Sequence, residues 1–469
     1  MLFSSITFLY YFLPCTLILY FIVPKFFKNT VILAASLVFY GWGEPKYLIL
    51  MLAAILQGYV FGILIEKFRI KEKTGLSKLF LSLSVIVSLG MLGFCKYADF
   101  FIENFNNVTG LSVPLLKIAL PIGISFYTFQ ILSYTVDVYR KEVRAQRNII
   151  NLAAYITMFP QLIAGPIVRY SDIAAQLEKR SHTLSDASEG VRRFVLGLSK
   201  KVLIANVLGE LVAEFKASDE KSVVFAWTYA VAYALHVYFD FSGYSDMAIG
   251  LGKLFGFHFP ENFNYPYISC SITEFWRRWH MSLGSWFRDY LYIPLGGNRC
   301  SKLKWLRNIL IVWAATGFWH GAAWNFILWG LMFAALLMIE KLWLMKKLSK
   351  SKVLSHFYVI FFVLISFVIF DMTKLSDAFT VIRSMFGFGK LPAVNFESLY
   401  YLRSYAVVLI IAAVGATPVP KKIIGKIRTN KAGECTVNIA EPLYLTALIA
   451  VCTAFLIDGS FNPFLYFRF

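Results

Sequence analysis

Apolar runs close to the length that crosses a bilayer, about 20 residues, recur along nearly the whole chain, and short connections rich in lysine and arginine divide them. No water hydrates the backbone inside a hydrocarbon layer, so peptide groups there must bond within a helix or around a closed barrel. A barrel would show short alternating segments, whereas these runs are continuous. The fold class that follows is an all-α polytopic membrane protein. Candidate spans are 5–23, 30–43, 47–65, 79–97, 115–136, 202–215, 223–240, 354–370, 401–416 and 442–457. Residues 150–166, 243–257 and 308–340 are also apolar but interrupted by Gly, Pro, His or Asn. The expectation is roughly eleven spans with re-entrant pieces.

Of 469 residues, 58% are hydrophobic and only 16% charged, whereas soluble domains carry about a quarter charged residues. A net charge of +19 would point to nucleic acid in a soluble protein. Here the basic residues gather between apolar runs, where they set orientation and meet anionic lipid, so nucleic acid is excluded as a partner. The six cysteines show no ligand-like spacing and read as small apolar side chains. The N-terminus has neither a basic region nor a small-residue cleavage site, so 5–23 reads as a retained span. No transporter-like repeat is visible, and the chain reads as one membrane domain over 1–469.

The connections 66–73, 140–147, 192–201, 299–307, 341–352 and 421–431 are basic and expected on the cytoplasmic side, while 98–113, 216–222 and 371–399 are near neutral and expected outside. With both 299–307 and 341–352 inside, the 33 residues from Asn308 to Glu340 fall short of the roughly 40 that two full spans need. That stretch is therefore expected to form two short helices or a re-entrant hairpin. Gly317 and Gly321 bracket its turn and His320 stands at the vertex, roughly 18 Å along a helix begun at Asn308. The region 260–295 mixes Trp, Arg and Asp with Pro260, Pro266 and Pro294. It cannot face lipid, and it places His280 on a central helical piece inside the protein. Parity sends 442–457 outward, leaving an extracytoplasmic aromatic tail at 458–469.

Histidine is costly at bilayer depth and exchanges its proton near neutral pH. An isolated helical histidine is commonly a core residue satisfied by backbone. His320, however, is followed by Gly321 and flanked by Trp319 and Trp324 at a turn, a setting that suits a general base. His280, in Trp276-Arg277-Arg278-Trp279-His280, fits an interfacial aromatic belt with snorkelling arginines. It equally fits a second imidazole that orients substrate, with arginines suited to an anionic donor. Asp240-Phe-Ser-Gly-Tyr-Ser-Asp246 either lines a cavity or ends a helix. The six histidines show no metal-binding spacing, and the His236/Asp240 pair, one turn apart, reads as a hydrogen bond, so no metal is expected.

Six stretches together carry a family resemblance: Phe159-Pro-Gln-Leu-Ile-Ala-Gly-Pro166, Asp240-Phe-Ser-Gly-Tyr-Ser-Asp246, Asn262-Phe-Asn-Tyr-Pro-Tyr267, residues 275–283, Tyr292-Ile-Pro-Leu-Gly-Gly-Asn-Arg299 and Phe318-Trp-His-Gly321. The chain resembles membrane-bound O-acyltransferases, and within them the bacterial branch of alginate O-acetyltransferase membrane subunits and peptidoglycan O-acetylation proteins. The resemblance implies a helical bundle around an internal tunnel in the bacterial cytoplasmic (inner) membrane. It implies acetyl-CoA as the donor on the cytoplasmic side, no permanently bound cofactor, and an extracytoplasmic SGNH-type acetyltransferase as partner. His320 matches the family's catalytic histidine and His280 the second active-site histidine. Trp276, Arg277, Trp279 and Trp319 beside them, with Asp240, Tyr244, Gln161 and Asn298 on the other motifs, are the candidate substrate-binding residues. The tail resembles a C-terminal F-x-Y-x-x-F motif through Phe464, Tyr466 and Phe469, which implies Tyr466 as an acyl relay. A phenol becomes nucleophilic once a base takes its proton. The alternative is a transporter or polysaccharide conduit with a histidine proton relay, which would ordinarily carry more intramembrane carboxylates and repeated halves.

Overall fold

The computed structural model describes residues 1–459, among which there is helix and no strand. These residues form two compact units, Met1–Val191 with Ala248–Pro260, and Arg192–Met247 with the chain from Glu261 onward.

In the first unit, helices α1 (Leu48–Ile70), α2 (Thr74–Thr109) and α3 (Ile124–Arg140) pack side by side. Small residues let α1 and α3 approach: a Cβ on Gly58 would lie 3.2 Å from Ile131, and one on Gly62 2.6 Å from the Tyr134 hydroxyl. Such seams replace the hydrophobic driving force that lipid removes, and polar side chains add ties across them. Gln57 Nε2 donates to Ser84 Oγ at 2.9 Å, and Ser77 Oγ to the Ile65 carbonyl at 3.0 Å.

Two further helices are α4 (Leu184–Ser199) and α5 (Val223–Leu254). In the second unit they meet at Gly197 and Gly243, where a Cβ on Gly197 would lie 2.5 Å from the Gly243 carbonyl. Beyond α4 the chain continues in a π-helical stretch, Lys200–Asn206. The sequence marked 192–201 as a cytoplasmic connection because it is basic. The segment is helical, and its last basic residue is not a solvated one: Lys201 is 2% exposed, with its Nζ 2.6 Å from Asp240 Oδ1.

The rest of the second unit holds α6 (Ile272–Arg278), α7 (Met281–Phe287), α8 (Lys302–His320), α9 (Trp324–Leu348), α10 (Lys352–Asp371) and α11 (Lys431–Ile457). Helices α8 and α9 form a hairpin in backbone contact. A Cβ on Gly317 would lie 2.3 Å from the Phe326 carbonyl, and one on Gly330 2.3 Å from that of Trp313. The expected turn is present, but the length argument for a re-entrant hairpin falls away. The helices do not stop where charge begins: α8 starts six residues earlier, at Lys302, and α9 runs on through Lys341, Lys346 and Lys347. Long basic side chains carry their charge to the surface while the stem stays in the helix. With 19 and 25 residues, the two helices measure about 28 and 37 Å, close to or beyond the roughly 30 Å of a hydrocarbon core. His320 stands about 27 Å from the start of its helix, rather than 18 Å.

Five helices among the described residues are long and apolar enough to cross a membrane: α1 (from Pro45), α2, α9, α10 and α11. A pair bent by 56°, Phe396–Ser404 with Ala406–Gly415, makes a sixth if it is one span. Apolar runs alone counted roughly eleven. The difference lies in segments such as 115–136, where the helix begins only at Ile124, after Pro121 and a left-handed Gly123.

Candidate active site

His320 is the last residue of α8. Gly321 ends the helix in extended conformation, and a Cβ there would meet the Phe326 ring at 2.2 Å. Only glycine, which has no side chain, leaves room for the Phe326 ring against this end of the helix. The imidazole is 9% exposed and lies edge-on to Trp329 and Phe370, at centroid distances of 5.1 and 5.3 Å, with Trp319 at 5.0 Å.

His280 is not on a helical piece. It follows Trp279 in the two-residue break between α6 and α7, in left-handed conformation with φ +43° and ψ 54°. Residues other than glycine seldom adopt this region, at a cost of about 1–3 kcal/mol, and such strain clusters at functional sites. Neighbouring bonds hold the junction. Met281 N donates to the Asn262 carbonyl at 3.0 Å, Ser282 Oγ to Asn262 Oδ1 at 2.9 Å, and Asn264 N to the Arg278 carbonyl at 2.9 Å. The ring meets Phe241 edge-on at 4.7 Å and Trp319 at 6.0 Å. Its Nε2 is buried with no hydrogen-bond partner among the described residues. A buried polar atom left unpaired costs about 1–3 kcal/mol and marks a place where a ligand would be useful.

The structure brings some of the other candidates to these rings. Trp319 neighbours both histidines. Trp276 stands edge-on to Trp329 at 5.5 Å and Trp313 at 4.7 Å, its indole nitrogen buried and unpartnered among the described residues. Asp240 and Tyr244 are buried on the stretch of α5 that carries Phe241. Trp279 points into the core, stacked on Phe275 at 5.6 Å and near Phe367 at 5.4 Å. Arg277 is exposed, with no hydrogen bond or ion pair among the described residues. Asn298 is exposed and ties its own loop, accepting from Tyr292 Oη at 2.6 Å and Lys341 Nζ at 2.8 Å. Gln161, in the first unit, is buried and donates to the Tyr155 carbonyl at 2.5 Å. Tyr466 lies outside the described residues.

His236 Nδ1 lies 2.6 Å from the Ala205 carbonyl, so the i, i+4 pair with Asp240 is divided between two other partners. Among the described residues no three His, Cys, Asp or Glu side chains converge as metal ligands. Sequence reasoning missed Trp329, Phe370 and Glu340. The first two look like ordinary apolar helix residues, and the third marks the edge of a basic connection.

A family model described as MBOAT, membrane-bound O-acyltransferase family, matches residues 62–376, which include both histidines. The chain is 38% identical, over the full length of both proteins, to a probable alginate O-acetylase of Azotobacter vinelandii. It is 43% identical to one of Pseudomonas aeruginosa, over 87% of this chain and 80% of that one. It is also 34% identical to a peptidoglycan O-acetyltransferase of Helicobacter pylori, over 82% of this chain and 80% of the relative.

Proposed function

The chain belongs to the membrane-bound O-acyltransferase family and is an integral membrane acyltransferase, and from that premise we propose that it carries acetyl groups to an extracellular polysaccharide, with His320 as general base and His280 as its partner. The donor is acetyl-CoA, reached from the cytoplasmic face of a bacterial inner membrane. As the acceptor oxygen bonds the acetyl carbon, His320 takes the hydroxyl proton. The carbon–sulfur bond then breaks, and the departing thiolate takes a proton to leave as CoA. His280 orients the acyl group or polarises its carbonyl. Tyr466, in a tail on the outer side, receives the acetyl group and passes it to an SGNH-type acetyltransferase that modifies the polymer. Alginate-type exopolysaccharide and peptidoglycan are the acceptor classes drawn from the relatives' names.

The observation that carries this reading is two buried imidazoles that both neighbour one indole, each at the end of a helix and walled by aromatic rings. Exclusion of water there protects a thioester from hydrolysis. The transporter or conduit alternative gains nothing from relatives whose names are those of acyl transfer. The test is labelled acetyl-CoA turnover in membrane vesicles carrying the full chain, its partner proteins and its polymer. His320→Ala should lower turnover by about 10²–10⁴-fold, the usual share of a general base. Wild-type turnover by a well-folded His320→Ala protein would remove the assignment.

A further inference from the structure

Helix α6, which delivers His280, has seven residues, and isolated helices under about 12 residues are marginal. Its first-turn donors are held from far away in the chain. Ile272 N donates to Glu340 Oε1 at 2.5 Å, Thr273 N to Oε2 at 2.9 Å and Thr273 Oγ to Oε2 at 2.6 Å. Ser271 Oγ takes Glu274 N at 3.0 Å. Glu340 is fully buried and has no basic side chain within ion-pair distance among the described residues. Burying a carboxylate without a cation is costly unless hydrogen bonds satisfy it. An apolar side chain would fill the space without that cost.

Glu340 opens a π-helical stretch of α9, Glu340–Leu344, and such insertions recur at functional sites. Seven residues earlier on the same helix, Phe333 meets the Trp276 ring at 4.8 Å, and Trp329 meets it at 5.5 Å. The early residues of α6 thus face the late part of α9, and the late residues of α6 face its early part. The two helices run antiparallel, so the C-terminal end of α6 arrives where Trp329 meets His320.

We propose that Glu340 is a positioning residue for the acyl transfer: its carboxylate pins α6 onto α9, so that one helix sets both His320, through Trp329, and His280, through α6. The proposal rests on the reading that His280 belongs to the reaction site. Glu340→Gln keeps the shape but puts an amide N–H₂ where one oxygen accepts. In vesicles with labelled acetyl-CoA, its kcat should fall about 100-fold, the scale of an ångström misplacement. The KM for acetyl-CoA and the amount of folded protein should not change. In a His280→Ala background the same substitution should cost nothing further, because coupled residues are non-additive. Equal losses in both backgrounds, or wild-type turnover by Glu340→Gln, overturn the proposal. Full turnover by His280→Ala instead overturns the reading of His280 itself. If Glu340→Gln does not accumulate, Thr273→Val removes a single donor. It should show the same non-additivity at about a tenfold loss, and an additive loss sinks the idea equally.

Discussion

His280 and His320 share Trp319: its ring lies 6.0 Å from the first imidazole and 5.0 Å from the second. The two histidines come from separate segments, 40 residues apart, one at the end of α8 and one at a break between two short helices. Both imidazoles are set among aromatic rings: Phe241 at His280, and Trp329 and Phe370 at His320. A buried setting of this kind suits proton transfer that is made and reversed within one turnover.

The left-handed backbone of His280 separates stability from function. His280→Gly should fold more stably than His280→Ala by about 1–2 kcal/mol, because glycine alone takes this conformation without cost. Both should lose acetyl transfer. Thermal unfolding of the detergent-solubilised variants measures the first difference, and vesicle turnover the second. Equal melting temperatures would mean that the junction holds no strain.

How much of this was legible depended on whether the information was local. His320 stood out because glycine and tryptophan flank it directly, and the helical class was legible because apolar runs need no partner to be recognised. The conformation of His280 was not legible, since bonds from Asn262 and Asn264 impose it from outside its own segment. Helix ends were misjudged at Lys302 and Lys341 because basic residues were read as connections, although their stems tolerate helix. Lys201 was misread for the same reason. Glu340 gave no signal because its partner Thr273 is 67 residues away.

Gly321 is a second point of leverage. A Cβ there would overlap the Phe326 ring at 2.2 Å, so Gly321→Ala should destabilise by about 1–3 kcal/mol, as overpacking does, and lower transfer by displacing His320. Adding Phe326→Leu should recover part of both. Gly75→Ala, where nothing lies within 4 Å of the new atom, is the control and should be neutral or slightly stabilising. The three unfolding curves decide the matter, and no recovery in the double variant would detach Phe326 from the effect.

Tyr466 carries the proposed relay. Tyr466→Phe removes one oxygen and keeps the aromatic ring, so an interfacial anchor would survive it. Polymer acetylation in cells should therefore be lost while the protein still accumulates in the membrane. A hydroxylamine-sensitive label on the wild-type chain, absent from the variant, would show the phenyl ester directly. Acetylated polymer at wild-type level from Tyr466→Phe would leave the tail an anchor only.

Lys201 and Asp240 form an ion pair at 2.6 Å with both side chains 2% exposed. Removing one partner strands a charge in a buried site, at a cost of about 3–5 kcal/mol, whereas replacing both with apolar side chains is often neutral. Lys201→Met alone should therefore unfold at lower temperature than the double variant Lys201→Met/Asp240→Leu. The pair joins the π-helical stretch 200–206 to α5 one residue before Phe241, whose ring meets His280 at 4.7 Å. Acetyl transfer should consequently fall in the single variant and return with stability in the double one. A double variant that is stable but transfers less than about a tenth of wild type, a loss of about 1.4 kcal/mol at the transition state, would show that Asp240 meets substrate as well as Lys201.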